Sequence, residues 1–371
     1  MSLVTSFISC AIFLLALSMF YLNRRNEQAL SEYKNMLSSL NENHLIQLIE
    51  SQNNHHHHPL KKVAHGMIVK DETLRSQKLL KVLEYFIYGH CATTLSSNET
   101  NNSRAILAIH GNGCTGSMFS QFEEMALKND ICIIAPTIPG WGLSLSLHAV
   151  TLEEFSKLMK QLLVEEMKIA KFNVIGASMG APYAAAVSAF LSSYVNNVNL
   201  FAPFGMKSVD NEPFGELNAL QRAAYELLMS TYTRDFLVDW ILMPLVLKDP
   251  VQAFESMYPH EYGALKGTDQ AKLIIDEMKR SVNWTSVGMK ESSVVLLSEE
   301  WGFELDSICH VSGKVIVSMA ENDTMISKNN PLYYVKKIAN SQKQAQLQVL
   351  KNRTHFSSVL DLEKALLDLT E

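Results

Sequence analysis

The sequence is poor in charge and has no basic excess. Only 19% of its 371 residues are charged and the net charge is -6, which speaks against nucleic acid as a partner bound through counterion release. No Cys-x-x-Cys pair occurs. The five cysteines, Cys10, Cys91, Cys114, Cys132 and Cys309, are scattered and odd in number, so the pattern suggests neither a disulfide framework nor a zinc site. Most are expected to be buried as small hydrophobes. Nucleotide, flavin and metal motifs are lacking, as are internal repeats, and no cofactor is expected. The run Asn53 to Pro59, with four histidines, has no carboxylate or cysteine partner nearby and reads as a linker.

Charge is missing altogether from Leu3 to Leu22, where Ile8, Ile12, Phe13, Leu14, Leu15 and Phe20 build an apolar run. That run is long enough to cross a hydrocarbon core of roughly 30 Å, and 3–22 is expected to be a transmembrane anchor. A cleaved signal peptide is the competing reading, but the run lacks a basic segment before it. Arg24 and Arg25 follow the run and nothing basic precedes it, so a single-pass chain with a cytosolic body is expected. The Asn-x-Ser/Thr triplets at Asn98, Asn101, Asn283, Asn322 and Asn352 are about as many as chance gives, and they barely shift that expectation. Residues 23–59 read as a stalk helix, marked by Leu30, Leu37, Leu40, Leu45, Leu48 and Ile49, followed by the linker.

From Leu60 onward, short apolar runs alternate with longer amphipathic ones, the pattern of a mostly parallel sheet flanked by helices. Strands are expected at Leu79–Tyr88, Ala105–Ile109, Ile131–Ala135, Phe172–Ile175, Val198–Phe201, Val315–Met319 and Gln346–Leu350. Helices are expected at Met118–Lys128, Leu152–Lys168, Ala181–Tyr194, Leu332–Asn340 and Leu360–Leu369. The interval 205–310 keeps helical periodicity without short strands, at Leu217–Met229, Phe236–Leu247 and Ala271–Arg280. It is expected to be a helical cap inserted into a core of 60–204 and 311–371. Following a strand, it would lie over the sheet edge where such folds bind ligands.

One strand of this core runs into Gly176-Ala177-Ser178-Met179-Gly180 and then into a small-residue helix. A serine on a sharp strand-to-helix turn needs neighbours without bulk on either side, which nominates Ser178 as a nucleophile. A serine hydroxyl also needs a base, and the base needs an acid to orient it. Among the 12 histidines, His355 follows the last strand, before the C-terminal helix, and is the candidate base. Asp323, in the polar turn after Val315–Met319, is the candidate acid, and Glu321 in the same turn is the alternative. The order serine, acid, histidine distinguishes one triad architecture from two unrelated ones. In His110-Gly111-Asn112-Gly113, after an early strand, the glycines let backbone amides approach a developing oxyanion. The amides of Asn112 and Met179 are the expected oxyanion hole, with His110 shaping the loop.

Together, the His-Gly-x-Gly turn at His110–Gly113, the segment Pro139-Gly140-Trp141-Gly142-Leu143-Ser144, the elbow at Gly176–Gly180, Asp323 and the late His355 resemble an α/β-hydrolase. The resemblance runs from Leu60 to the end of the sequence. It implies an α/β-hydrolase fold with a helical cap, with Ser178 as nucleophile, His355 as general base, Asp323 as its orienter, and the Asn112 and Met179 amides as oxyanion hole. Thr137 stands where many relatives carry an aspartate and Ala320 where they carry a glycine, which blurs the subfamily and leaves the triad intact. A serine at 178 separates the chain from the dehalogenase and epoxide-hydrolase branches, which use aspartate. The expected reaction is hydrolysis of a small-molecule ester or thioester, and the apolar cap beside a membrane anchor suggests a lipid or long acyl substrate. C–C bond hydrolysis, acyl transfer, peptidase action and a non-catalytic binding or scaffold role stay open, because one scaffold hosts many chemistries.

Overall fold

A computed structural model describes residues 67–69, 81–91, 104–144, 150–205, 231–283, 286–290, 292, 301–339 and 344–371. The expected anchor at 3–22, the stalk and linker at 23–59 and the cap segment Leu217–Met229 lie outside these residues. Among the described residues, no helix is long and apolar enough to cross a membrane.

Seven strands form the main sheet, in the order β3-β5-β4-β6-β7-β8-β9. They are β3 Tyr85–Gly89, β4 Ala105–Ile109, β5 Cys132–Pro136, β6 Phe172–Ala177, β7 Val195–Phe201, β8 Val315–Ala320 and β9 Gln346–Leu350. Only β3 runs antiparallel, against β5; the other pairs are parallel. The central strands lie beneath helices on both faces, so every residue of β4 and β5 is buried, which is why these segments read as unbroken apolar runs. At β9 the pattern loosens to exposed and half-buried residues, as suits an edge strand with Gln346 and Gln348.

The expected strand Leu79–Tyr88 is two strands. β2 Lys81–Leu83 pairs with β1 Met67–Val69 in a separate antiparallel ribbon, and β3 begins after Glu84. Glu84 is the reason for the break. Its side chain is buried, its carboxylate accepts from Thr137 Oγ1 at 2.8 Å and Leu143 N at 3.3 Å, and its own amide donates to Ser144 Oγ at 2.9 Å. Burial raises its pKa above the ordinary carboxylate range, against the opposing hydrogen bond from Thr137.

The cysteine pattern misled. Cys91 and Cys132 are joined in a disulfide, with Cα atoms 4.8 Å apart. Gly89 pairs with Cys132 across β3 and β5, so the chain leaving β3 passes directly beside the start of β5. Closing a loop of 41 residues in sequence favours the native state by about 2–4 kcal/mol, mainly by restricting the unfolded chain. Cys114 and Cys309 are buried and take part in no disulfide among the described residues.

Two expected helices change their winding. Met118–Lys128 begins as a 3₁₀ turn at Gly116–Phe122 and becomes α-helical over Glu123–Lys128. Leu152–Met159 starts on a capping box between Thr151 and Glu154, then widens into a π-helical stretch at Lys160–Glu166. Between β7 and β8 the described residues form helices Thr231–Phe236, Met243–Lys248, Pro250–Met257, Pro259–Leu265 and Asp269–Val282, within the interval expected to be the cap. Val238, Val246, Ala253 and Phe254 are among its buried residues, whereas Phe236 and Trp240 stack on one another at the exposed surface.

Strand order reverses between β4 and β6: β5 lies on one side of β4 and the later strands on the other. Such a reversal opens a crevice at the carboxyl ends of the strands. His110 and Ser178 stand there, just beyond the last residues of β4 and β6.

Candidate active site

Ser178 occupies a turn that few side chains adopt. Its φ is 53°, left-handed, between the end of β6 and the helix Gly180–Phe190. Three backbone hydrogen bonds hold it: Ser178 N donates to Phe201 O at 2.8 Å, and Ser178 O accepts from Ala181 N at 3.0 Å and Phe204 N at 3.2 Å. The flanking glycines are required by space. A Cβ on Gly176 would strike the Gly180 carbonyl and Ala184, and one on Gly180 would strike the carbonyls of His110 and Ile109.

The structure brings Ser178, His355 and Asp323 together. Ser178 Oγ lies 2.8 Å from His355 Nε2, and His355 Nδ1 lies 2.7 Å from Asp323 Oδ2. A carboxylate can only accept, so Nδ1 carries the proton and Nε2 faces the serine as an acceptor. The other Asp323 oxygen accepts from Met325 N and Ile326 N, both at 2.9 Å, which fixes the carboxylate by two amides of its own turn. Burial alone would lower the His355 pKa, but the Asp323 charge and hydrogen bond, with a contribution from Glu261, leave it above the ordinary imidazole value.

Glu321 is turned elsewhere. Its carboxylate takes Lys351 Nζ at 2.8 Å and Asn352 N at 2.9 Å, and the Lys351 hydrogen bond holds its pKa below the usual carboxylate value. His110 is fully buried, and Ile138 N donates to its Nε2 at 2.8 Å. Its Nδ1, 2.8 Å from Gly111 O, must then carry the proton, and burial pushes the pKa down to about 4. A neutral imidazole thus ties the His-Gly turn to the Ile138–Pro139 loop. Gly111 packs directly on the elbow, since a Cβ there would lie 3.2 Å from Ser178 Cβ.

The crevice around Ser178 holds about 620 Å³, counting space open to solvent. Its walls are largely apolar: Met118, Phe201, Tyr258, Ile274, Met325 and Phe356, with Gly111 and Asn112 beside the serine. Among the described residues no group of His, Cys, Asp and Glu could hold a metal ion, and the run His55–His58 lies outside them.

A profile of the alpha/beta hydrolase family matches residues 106–365. The chain belongs to the α/β hydrolase family. The match takes in β4, the elbow, the cap and the loop of His355, so this hydrolase carries the whole crevice within its family region. An AB hydrolase superfamily protein of Gibberella zeae is 25% identical over 116 residues, which are 30% of this chain and 41% of that relative's length. In fold, the hydrolase is similar to a thermophilic esterase from Thermogutta terrifontis, with a TM-score of 0.56 at 14% identity over 83% of this chain and 97% of the esterase. It is also similar to the meta-cleavage product hydrolase from Pseudomonas fluorescens IP01, with a TM-score of 0.51 at 14% identity over 78% of this chain and 93% of the other.

Sequence reasoning missed two acidic residues of the hydrolase cap that grip the loops around the crevice. Glu277, on helix Asp269–Val282, accepts from Thr115 N at 2.9 Å and Thr115 Oγ1 at 2.8 Å, and also from Ser117 Oγ. Glu261, on helix Pro259–Leu265, accepts from Thr354 Oγ1 at 2.6 Å, His355 N at 3.1 Å and Phe356 N at 2.9 Å. Glu277 sits on an amphipathic helix among other charged residues and Glu261 on a short helix beside His260, so nothing in the local pattern sets either apart. The Pro139–Ser144 segment also grips this region. Gly142 N donates to Ser281 O at 2.9 Å, Trp141 Nε1 to Ser292 Oγ at 3.0 Å, and Gly140 O accepts from Gly288 N at 2.6 Å.

Proposed function

We propose that this α/β hydrolase is a membrane-anchored serine hydrolase that cleaves an ester or thioester through an acyl-enzyme. The observation that carries the reading is the unbroken line from Ser178 Oγ through the His355 imidazole to the Asp323 carboxylate, at 2.8 and 2.7 Å. Ser178 attacks the carbonyl while His355 Nε2 takes its proton, and Asp323 holds the tautomer and stabilises the imidazolium. The Asn112 and Met179 amides receive the oxyanion. The protonated histidine then gives its proton to the leaving group, and a water activated by the same nitrogen releases the acid. The apolar wall of the crevice supports an acyl chain rather than a charged group as the part buried there.

A fluorophosphonate probe is expected to label the natural protein and not Ser178→Ala. Across a series of esters of rising acyl length, kcat/KM is expected to rise beyond acetyl, by up to about 15-fold per two methylenes buried, taking ~0.8 kcal/mol for each. A preference for acetyl would remove the lipid reading, and absence of serine-dependent labelling would remove the enzyme.

The apolar run Leu3–Leu22 supports the anchor, with the body on one side of a membrane. Arg24 and Arg25 favour the cytosolic side, but long domains translocate despite such charges. The Cys91–Cys132 disulfide weighs the other way, because cytosolic proteins keep their thiols reduced. We give it the greater weight and assign the body to an oxidising compartment. Asn283, Asn322 and Asn352 are exposed, so glycans are expected on the protein from its native membrane, read as a mobility shift after peptide-N-glycosidase. No shift, together with free thiols at Cys91 and Cys132, would return the body to the cytosol.

A further inference from the structure

The cap of a hydrolase is commonly thought of as a cover, but here it carries a buried carboxylate that is committed to the base. Glu261 is 1% exposed, and both its oxygens are occupied by the loop of His355. Oε1 accepts the amide of His355 itself, and Oε2 accepts the Phe356 amide and the Thr354 hydroxyl. A carboxylate taken out of water needs such partners, and the three consecutive residues supply them. The same junction is packed by rings: Phe356 lies 5.2 Å from Phe254 and 5.4 Å from Tyr258, edge to face, both on the cap.

From this geometry we infer that Glu261 is a positioning residue, which holds the backbone of His355 so that its imidazole spans Ser178 and Asp323. The inference rests on the triad reading above. Nothing else among the described hydrogen bonds holds the His355 amide, and the next loop contacts, Ser358 Oγ donating to His355 O and Thr354 N donating to Ser357 Oγ, are within the loop. Without Glu261 the loop keeps its internal turn and its ties to the turn after β8 at Asn352 and Arg353, but the backbone of Thr354 to Phe356 loses its hold on the helix Pro259–Leu265. Misplacement of a base by about 1 Å costs on the order of 100-fold in rate. The charged groups that face the imidazole are Asp323, from the turn after β8, and Glu261, from the cap; both favour the protonated ring.

Two substitutions separate geometry from charge. Glu261→Gln keeps the shape but removes the charge and sets an NH₂ group against a backbone donor. It is expected to lower kcat by about 10- to 100-fold with KM within about twofold, and to move the acidic limb of the kcat/KM profile to lower pH. Glu261→Asp keeps the charge and shortens the reach, so kcat is expected to fall while the acidic limb moves less. If Glu261→Gln does not fold, the fall in kcat at constant KM in Glu261→Asp carries the test. An unchanged kcat in either folded variant overturns the inference, as does a loss of Tm and kcat in Glu261→Gln with the pH profile unmoved. Ser178→Ala serves as the control. If it remains active, the triad reading fails; if it is inactive while the Glu261 variants match the parent, only the role of Glu261 fails.

Discussion

Ser178→Ala is expected to lower kcat by about 10⁶-fold, roughly 8 kcal/mol of transition-state stabilisation, with little change in substrate binding. The size follows from the cooperative use of the three side chains. Once the hydroxyl is gone, His355 has no proton to accept at 2.8 Å and Asp323 has no imidazolium to stabilise, so both become idle. What remains comes from oxyanion-hole amides and the apolar crevice. The substitution should also fold, because alanine needs no more room than serine and the turn at φ 53° is held by the Phe201, Ala181 and Phe204 backbone rather than by the hydroxyl. Steady-state turnover of the best ester, with a thermal melt on the same preparation, is the measurement. Turnover within tenfold of the parent would mean that another group is the nucleophile.

Asp323→Asn is expected to cost about 10⁴-fold in kcat, because the wrong tautomer results. Oδ1 accepts two backbone amides, from Met325 and Ile326. In asparagine the lone carbonyl oxygen is drawn to those donors, which leaves the NH₂ facing His355 Nδ1. That nitrogen must then accept, so the ring proton moves to Nε2 and points at Ser178, where a base is needed. Glu321→Gln is expected to change kcat by less than about threefold, since Glu321 engages Lys351 and Asn352 at the exposed turn and has no contact with the imidazole. The comparison of the two variants under one substrate decides the acid. A larger loss at Glu321 would overturn the reading.

Much of the core was legible because the parallel strands are buried on both faces and leave continuous apolar runs. The elbow was legible because steric demand writes itself locally: glycines at 176 and 180, an apolar strand before and a small-residue helix after. The break at Glu84 was not, because its partners Thr137, Leu143 and Ser144 are 53, 59 and 60 residues away in sequence. For the same reason the disulfide was hidden. Cys91 and Cys132 are 41 residues apart, and only the antiparallel register of β3 on β5 makes them neighbours. Glu261 reaches residues 93 to 95 positions later, and a glutamate on a helix surface gives no sign of such a contact. Order along the chain selected Asp323 and His355, but the orientation of Glu321 away from the histidine became visible only in the turn itself.

His355 stands 177 residues after Ser178. A chain made from the N-terminus can therefore complete β6, the elbow and its helix while Ser178 is still without its proposed base. The cap that steadies the histidine loop is also made before the loop it steadies. Contacts this far apart in sequence are slow to form, because the entropy of closing the loop is paid before the contact rewards it. On the proposed triad, a form without the His355 loop has a serine without its base. The proposed mechanism therefore expects hydrolytic activity only once β9 and the loop beyond it are in place, which would keep such an enzyme silent until its own architecture is finished.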